Sequence, residues 1–125
     1  MDDQQYCRLR VIGENLDLAG SPAGLRALAS TLREGGAAVT VPMRNGSVRQ
    51  ERGDGALVIE LRPAPTLYLR GSDSALEEVW AALEAVAGAI PEEGAAAPHR
   101  HVEPAGSRGL VVTLDSADPL AELGL

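Results

Sequence analysis

The sequence predicts an α+β fold, a two-layer sandwich in which two helices cover one face of a mainly antiparallel sheet. Three observations predict it. The stretch Leu16–Leu32, LDLAGSPAGLRALASTL, recurs 51 residues later as Leu67–Leu83, LYLRGSDSALEEVWAAL, and self-similarity of this kind marks a repeated supersecondary unit. Each copy alternates as Leu-x-Leu, the period of a half-buried strand, and then switches to helical spacing beyond a Gly-Ser break. An apolar pair also precedes each copy, Val11-Ile12 before the first and Val58-Ile59 before the second, with four extra residues intervening in the second. The repeating unit is therefore read as strand–strand–helix in tandem. A ferredoxin-like arrangement stays open if each strand pair is one long bent strand.

In chain order, Cys7, Leu9 and Val11 alternate with Arg8 and Arg10, which predicts a strand with one apolar and one basic face. Gly13-Glu14-Asn15 turns it into Leu16–Leu18. Ser21 is the natural cap of a first helix over Pro22–Glu34, with Pro22 at the first helical position, where its missing N–H is harmless. Gly35-Gly36 stops that helix. Ala37–Met43 is the next strand, and Pro42 puts it at an edge or a bulge. Asn45-Gly46 is a two-residue hairpin signal that returns Ser47–Glu51 antiparallel. The segment 52–55, Arg-Gly-Asp-Gly, turns the chain again into the strand Ala56–Leu61.

Arg62-Pro63-Ala64-Pro65 ends that strand before the second Leu-x-Leu. A second helix is read over Asp73–Gly88, with Ser72 as cap and Ser74 with Glu77 as a competing capping box. Pro91–Gly109 is rich in Pro, Gly and Ala and reads as a surface connection in which His99–Glu103 adds a short edge strand. Leu110–Leu114 is a strand. Residues 115–125 hold either a short helix, capped by Asp118 with Pro119 first, or a loose tail.

Bulk properties narrow the function. At 125 residues the chain suits one domain with one core, its repeat halves at about 7–43 and 56–90. It has no Phe and one Trp, so aliphatic side chains must do the packing. The formal charge of −7 is unevenly spread: residues 1–62 balance eight Arg against eight acids, whereas 63–125 carry three Arg and ten acids. Such a surface disfavours nucleic-acid binding, which wants the opposite sign, and suits a basic protein partner. A single Cys excludes an internal disulfide framework and points to a reducing compartment. The polar N-terminus lacks a signal-peptide core, and no apolar run reaches the ~18 residues of a membrane span. A cytoplasmic protein with no membrane partner and no cofactor is expected.

Few residue clusters carry chemistry. His99, His101 and Glu103 would project to one side of a strand, and two imidazoles with a carboxylate suit a divalent metal, although no fourth ligand is apparent. Cys7 as a nucleophile would need a base from His99 or His101, and its phase with Leu9 and Val11 favours a buried structural thiol. Arg44, Arg49 and Arg52 gather around the hairpin and could grip an anion or simply be solvated. The two Gly-Ser turns match no phosphate-binding pattern and are read as caps. The carboxylates of the second half, Asp73, Glu77, Glu78, Glu84, Glu92 and Glu93, form the candidate partner-binding face.

The segment Leu16–Ala29, Leu-x-Leu-x-Gly-Ser-Pro-x-Gly-Leu-x-x-Leu-Ala, resembles the immunity protein 32 family of bacterial polymorphic toxin systems. The resemblance covers about a quarter of the chain. It implies a small cytoplasmic protein that binds and neutralises a cognate toxin, and it carries no functional residue across. The expectation is therefore a non-catalytic protein-binding module with a basic toxin as partner and a homodimer left open. The alternative is a small metal-binding protein or enzyme using His99, His101 and Glu103.

Overall fold

The computed structural model describes residues 5–90, 94 and 96–115. Glu92 and Glu93, and the helix or tail expected over 116–125, lie outside the described residues. The elements are β1 (Cys7–Ile12), β2 (Asn15–Gly20), α1 (Pro22–Glu34), β3 (Ala38–Met43), β4 (Gly46–Arg52), β5 (Val58–Arg62), β6 (Thr66–Gly71), α2 (Asp73–Ala87), β7 (His99–Val102) and β8 (Leu110–Leu114). The α+β class and both helices are as the sequence predicts.

The strands form two four-stranded sheets, ordered β1-β2-β8-β7 and β3-β4-β6-β5, where the sequence reading has one. β1-β2, β3-β4, β5-β6 and β7-β8 are antiparallel hairpins, so the long bent strands of a ferredoxin-like arrangement are absent among the described residues. Two parallel ladders, β2 with β8 and β4 with β6, join the hairpins in pairs. The division has a simple origin. Leucine alternation says which face of a strand is buried, but the neighbour of β2 is β8, far along the chain, and no local pattern names it.

β2 and β6 hold matching places, each between an antiparallel outer strand and a parallel inner one. Leu9 lies opposite Leu18 and Ile59 opposite Leu69. By register, Leu9 thus matches Ile59, and Val11 matches Leu61. The match of Val11-Ile12 with Val58-Ile59 is thereby corrected. The hairpin turns, Gly13-Glu14 and Pro63-Ala64-Pro65, differ by one residue rather than four.

Each helix is started by the serine its sequence offers. Ser21 Oγ accepts the Gly24 N–H at 3.1 Å, and Ser72 Oγ accepts the Ala75 N–H at 3.2 Å, so Ser72 rather than Ser74 caps α2. Ser21 Oγ also accepts the Tyr6 N–H at 3.1 Å. This holds the start of β1 so tightly against α1 that a Cβ at position 24 would run into the Tyr6 backbone, which makes Gly24 a requirement. The apolar stripes Leu25, Leu28, Ala29, Leu32 and Leu76, Val79, Trp80, Leu83, Val86 are all buried. They join Leu9, Leu16, Leu18, Leu110 and Val112 of one sheet, and Val48, Ile59, Leu67 and Leu69 of the other, in a single hydrophobic cluster. Removing any of the fully buried leucines would cost about 2–5 kcal/mol.

Two of the outer strand edges, those of β1 and β5, are closed by side chains. The Leu9 N–H donates to Asn45 Oδ1 at 2.9 Å and Asn45 Nδ2 donates to the Leu9 carbonyl at 2.8 Å, so one amide imitates a neighbouring strand. Ser107 Oγ does the same for β5, accepting the Ile59 N–H at 2.6 Å and donating to its carbonyl at 2.9 Å. This use of Asn45 accompanies a shift in the hairpin: the loop is Arg44-Asn45, and Gly46 already pairs with Met43. Gly46 has φ +111°, and a Cβ there would strike the Pro65 carbonyl. Pro42 sits in β3, an edge strand, as its missing donor requires.

Asn45→Ala removes both bonds to Leu9. It should destabilise the protein by about 2 kcal/mol, at roughly 1 kcal/mol per bond, read as a lower urea midpoint at unchanged slope.

Candidate functional site

The acidic set converges on the side of α2, and most of its described members are already occupied. Arg33, in the last turn of α1, reaches across to α2. Its guanidinium donates to Glu84 through Nε at 2.9 Å and Nη2 at 2.8 Å, and to Glu77 through Nη1 at 2.8 Å and Nη2 at 2.6 Å. Asp73 accepts from Arg52 Nη1 at 2.7 Å. Of Asp73, Glu77, Glu78 and Glu84, only Glu78 has no ion pair among the described residues. The pairs are exposed and add little stability; their effect is to cancel charge on that part of the surface. The Arg33 hydrogen bonds hold the Glu84 carboxyl below its usual range.

Beneath the pairs lies a buried polar node. Gln50, fully buried on β4, donates through Nε2 to the Leu32 carbonyl at 2.8 Å and accepts the Trp80 indole N–H through Oε1 at 2.7 Å. Arg52 closes the C-terminal end of α1, donating to the carbonyls of Leu32, Arg33, Gly35 and Gly36, where a cation also suits the helix dipole. The Arg33 and Arg52 guanidiniums lie 5.3 and 5.0 Å from the Trp80 ring centroid, within cation–π range. Arg33, Gln50 and Arg52 had no place in the acidic-face reading. The available signals were a polar residue in the apolar phase of Val48-x-Gln50, and one Trp whose indole N–H needs a partner once buried.

A second region joins two of the predicted groups. Between α2 and β7 runs a groove of about 240 Å³ bordered by Glu78 and Ala82 on the helix and by Arg100, His101 and Glu103 on the strand side. It brings Glu78 of the acidic set beside His101 and Glu103 of the candidate metal set. The imidazoles of His99 and His101 are exposed and meet edge to face, 5.2 Å between centroids, and His101 Nδ1 is 3.7 Å from Glu103 Oε1. Among the described residues no group of three or more His, Cys, Asp or Glu side chains is disposed to hold a metal ion. β7 is the outer strand of its sheet, paired on one side with β8.

Cys7 is buried on β1, and burial pushes its thiol up to about 12, the opposite of an activated nucleophile. The histidines sit on β7 at the far edge of the same sheet, three strand spacings or at least about 14 Å away. A smaller cleft of about 160 Å³ lies between α1, β1 and β3, lined by Tyr6, Cys7, Leu28, Thr31, Val41 and Met43.

The hairpin arginines disperse. Arg44 stacks on Tyr6 with its guanidinium 3.9 Å from the ring centroid, Arg49 pairs with Glu51 and Thr40, and Arg52 turns under α1. The sheet faces turned from the core carry internal ion pairs as well. Arg10 pairs with Asp17, which also accepts from Thr113 Oγ1 at 2.8 Å, and Arg8 pairs with Asp115 at 2.9 Å. On the other sheet the Tyr68 hydroxyl donates to Glu51 at 2.7 Å. That bond, with Arg49, lowers the Glu51 carboxyl and, with burial, raises the Tyr68 phenol.

No family model, curated protein or solved structure matches the chain.

These shifts set a pH dependence. Glu51 and Glu84, lowered on folding, add stability above the ordinary carboxylate range of about 4.3, and it is lost as pH falls through their folded values. Tyr68, raised on folding, adds stability below the ordinary phenol value of about 10, and it is lost as pH rises through its folded value. Glu51→Gln should therefore flatten both the acid and the alkaline limb of stability measured by urea unfolding across pH. A variant that alters neither limb would contradict the assignment.

Proposed function

We propose that the chain is a non-catalytic protein-binding module that takes a basic partner along the α2–β7 groove, and that it acts as a cytoplasmic immunity protein against a toxin. The observation that carries this reading is the contrast among the carboxylates. Asp73, Glu77 and Glu84 are held by arginines of the same chain, whereas Glu78, without an ion pair among the described residues, stands across the groove from Glu103. The groove runs beside an outer strand whose free side has no backbone partner among the described residues, the setting in which an extended segment adds to a sheet. The charge excess of residues 63–125 supports a basic partner through steering. Glu92 and Glu93, which fall between α2 and β7 in sequence, are part of that charge excess.

None of the described helices is long and apolar enough to cross a membrane. Tandem duplication within one domain, with the helices as a second layer over the strands, is proposed as the scaffold. Its supports are the twice-written sequence and the matching places of β2 and β6.

The test is titration of the purified chain with the product of the adjoining gene. Glu78→Lys with Glu103→Lys should weaken binding at least tenfold, about 1.4 kcal/mol, and steepen less with falling salt than the parent, at unchanged thermal stability. Among the described residues Glu78 makes no ion pair and Glu103 meets only the exposed His101, at 3.7 Å. Undiminished binding would remove the groove from the reading, and no binding by the parent chain would remove the immunity role.

A further inference from the structure

Both sheets are shared between the two halves of the sequence. β2 of the first half pairs with β8 of the second, and β4 of the first pairs with β6 of the second. The polar contacts follow the same division. Trp80 reaches Gln50, Arg33 reaches Glu77 and Glu84, Thr113 reaches Asp17, and Asp115 reaches Arg8. Residues 53–57 alone join the halves covalently. Two backbone bonds hold that link, from the Gly53 N–H to the Gly71 carbonyl at 3.0 Å and from the Ser72 N–H to the Gly55 carbonyl at 3.1 Å. None of the contacts between halves requires both to belong to one molecule.

We propose that a second copy of this chain can supply the missing half, so that two chains exchange halves into a closed dimer of two complete lobes. The surface is the apolar and polar face that each half turns to the other, and its partner is chemically identical to the half it replaces. The link decides between the two forms. β4 and β5 flank β6 on opposite sides, so the chain must cross two strand spacings, about 9.5 Å. Five intervening residues cross it readily, and a short link holds its own half at an effective concentration near millimolar. The single chain therefore prevails in dilute solution, and exchange competes as protein concentration approaches that value. Deleting Gly53–Ala56 leaves Leu57 alone between Arg52 and Val58, a reach of about 7 Å, and the single-chain closure becomes impossible.

The experiment has two arms. The Gly53–Ala56 deletion should show twice the chain mass by light scattering with the emission of a buried Trp80; a folded monomer would overturn the proposal. Separately, full-length Arg33→Glu is refolded together with full-length Glu77→Arg/Glu84→Arg at near-millimolar concentration. Exchange sets the substituted positions of the two variants against each other in one lobe, where the reversed charges again attract. It restores the parent pairs of Arg33 with Glu77 and Glu84 in the other lobe, so a dimer containing one of each chain is expected. Recovery of two separate monomers would overturn the proposal, and this arm decides if the deletion variant does not fold.

Discussion

The fold depends on two parallel ladders. β2 beside β8 and β4 beside β6 are where hairpins distant in sequence meet, and each places a leucine strand at the centre of a sheet. Leu16 faces Leu110 and Leu18 faces Val112 in one; Leu67 faces Val48 and Leu69 faces Gln50 in the other. Parallel neighbours cannot be joined by a tight turn, so the chain spends α1 with β3–β7 between β2 and β8. The consequence is a core that neither half can complete. A hairpin by itself is marginal in water, and here each hairpin gains its neighbour only when the other half has folded.

Polar chemistry in the interior serves that junction. Gln50 occupies an apolar phase of β4, yet both ends of its amide are used, one on the end of α1 and one on the indole of α2. A buried amide left half-satisfied is destabilising, and one fully satisfied fixes a unique arrangement. Gln50 therefore sets the relative position of the two helices and β4 in a way that a leucine of similar volume would not. Arg52 works beside it, answering four carbonyls at the end of a helix whose last turn has no other cap of that capacity. The exposed Arg33 pairs lie on top of this node and follow from it: once Leu32 and Trp80 are placed, Arg33 is within reach of Glu77 and Glu84.

Much of the secondary structure was legible in the sequence. Ser21-Pro22 and Gly35 bound α1 at the residues expected, and Leu-x-Leu followed by helical spacing marked β2, β6 and both helices. The short β7 and the edge place of Pro42 were legible too. What could not be read was pairing between distant strands, because alternation reports burial and is silent about neighbours. The same limit explains the register: without the partners Leu18 and Leu69, Val11-Ile12 and Val58-Ile59 look alike. The candidate site was legible as charge but not as geometry. Glu77 and Glu84 read as free acids since their counterion, Arg33, lies 44 residues or more away in sequence. Glu78, one residue from Glu77, has a different fate because the two face apart on the helix. Of the charged groups singled out from sequence, the groove keeps Glu78, His101 and Glu103 together.

Because each sheet is made from both halves, the two sheets should open together. Native-state hydrogen exchange across β2, β8, β4 and β6 measures this directly. A shared core predicts that the protected amides of all four strands exchange through one opening whose free energy equals that of global unfolding. If the amides of one sheet exchanged at a markedly lower free energy while the other stayed protected, the sheets would be independent units and the claim would fail.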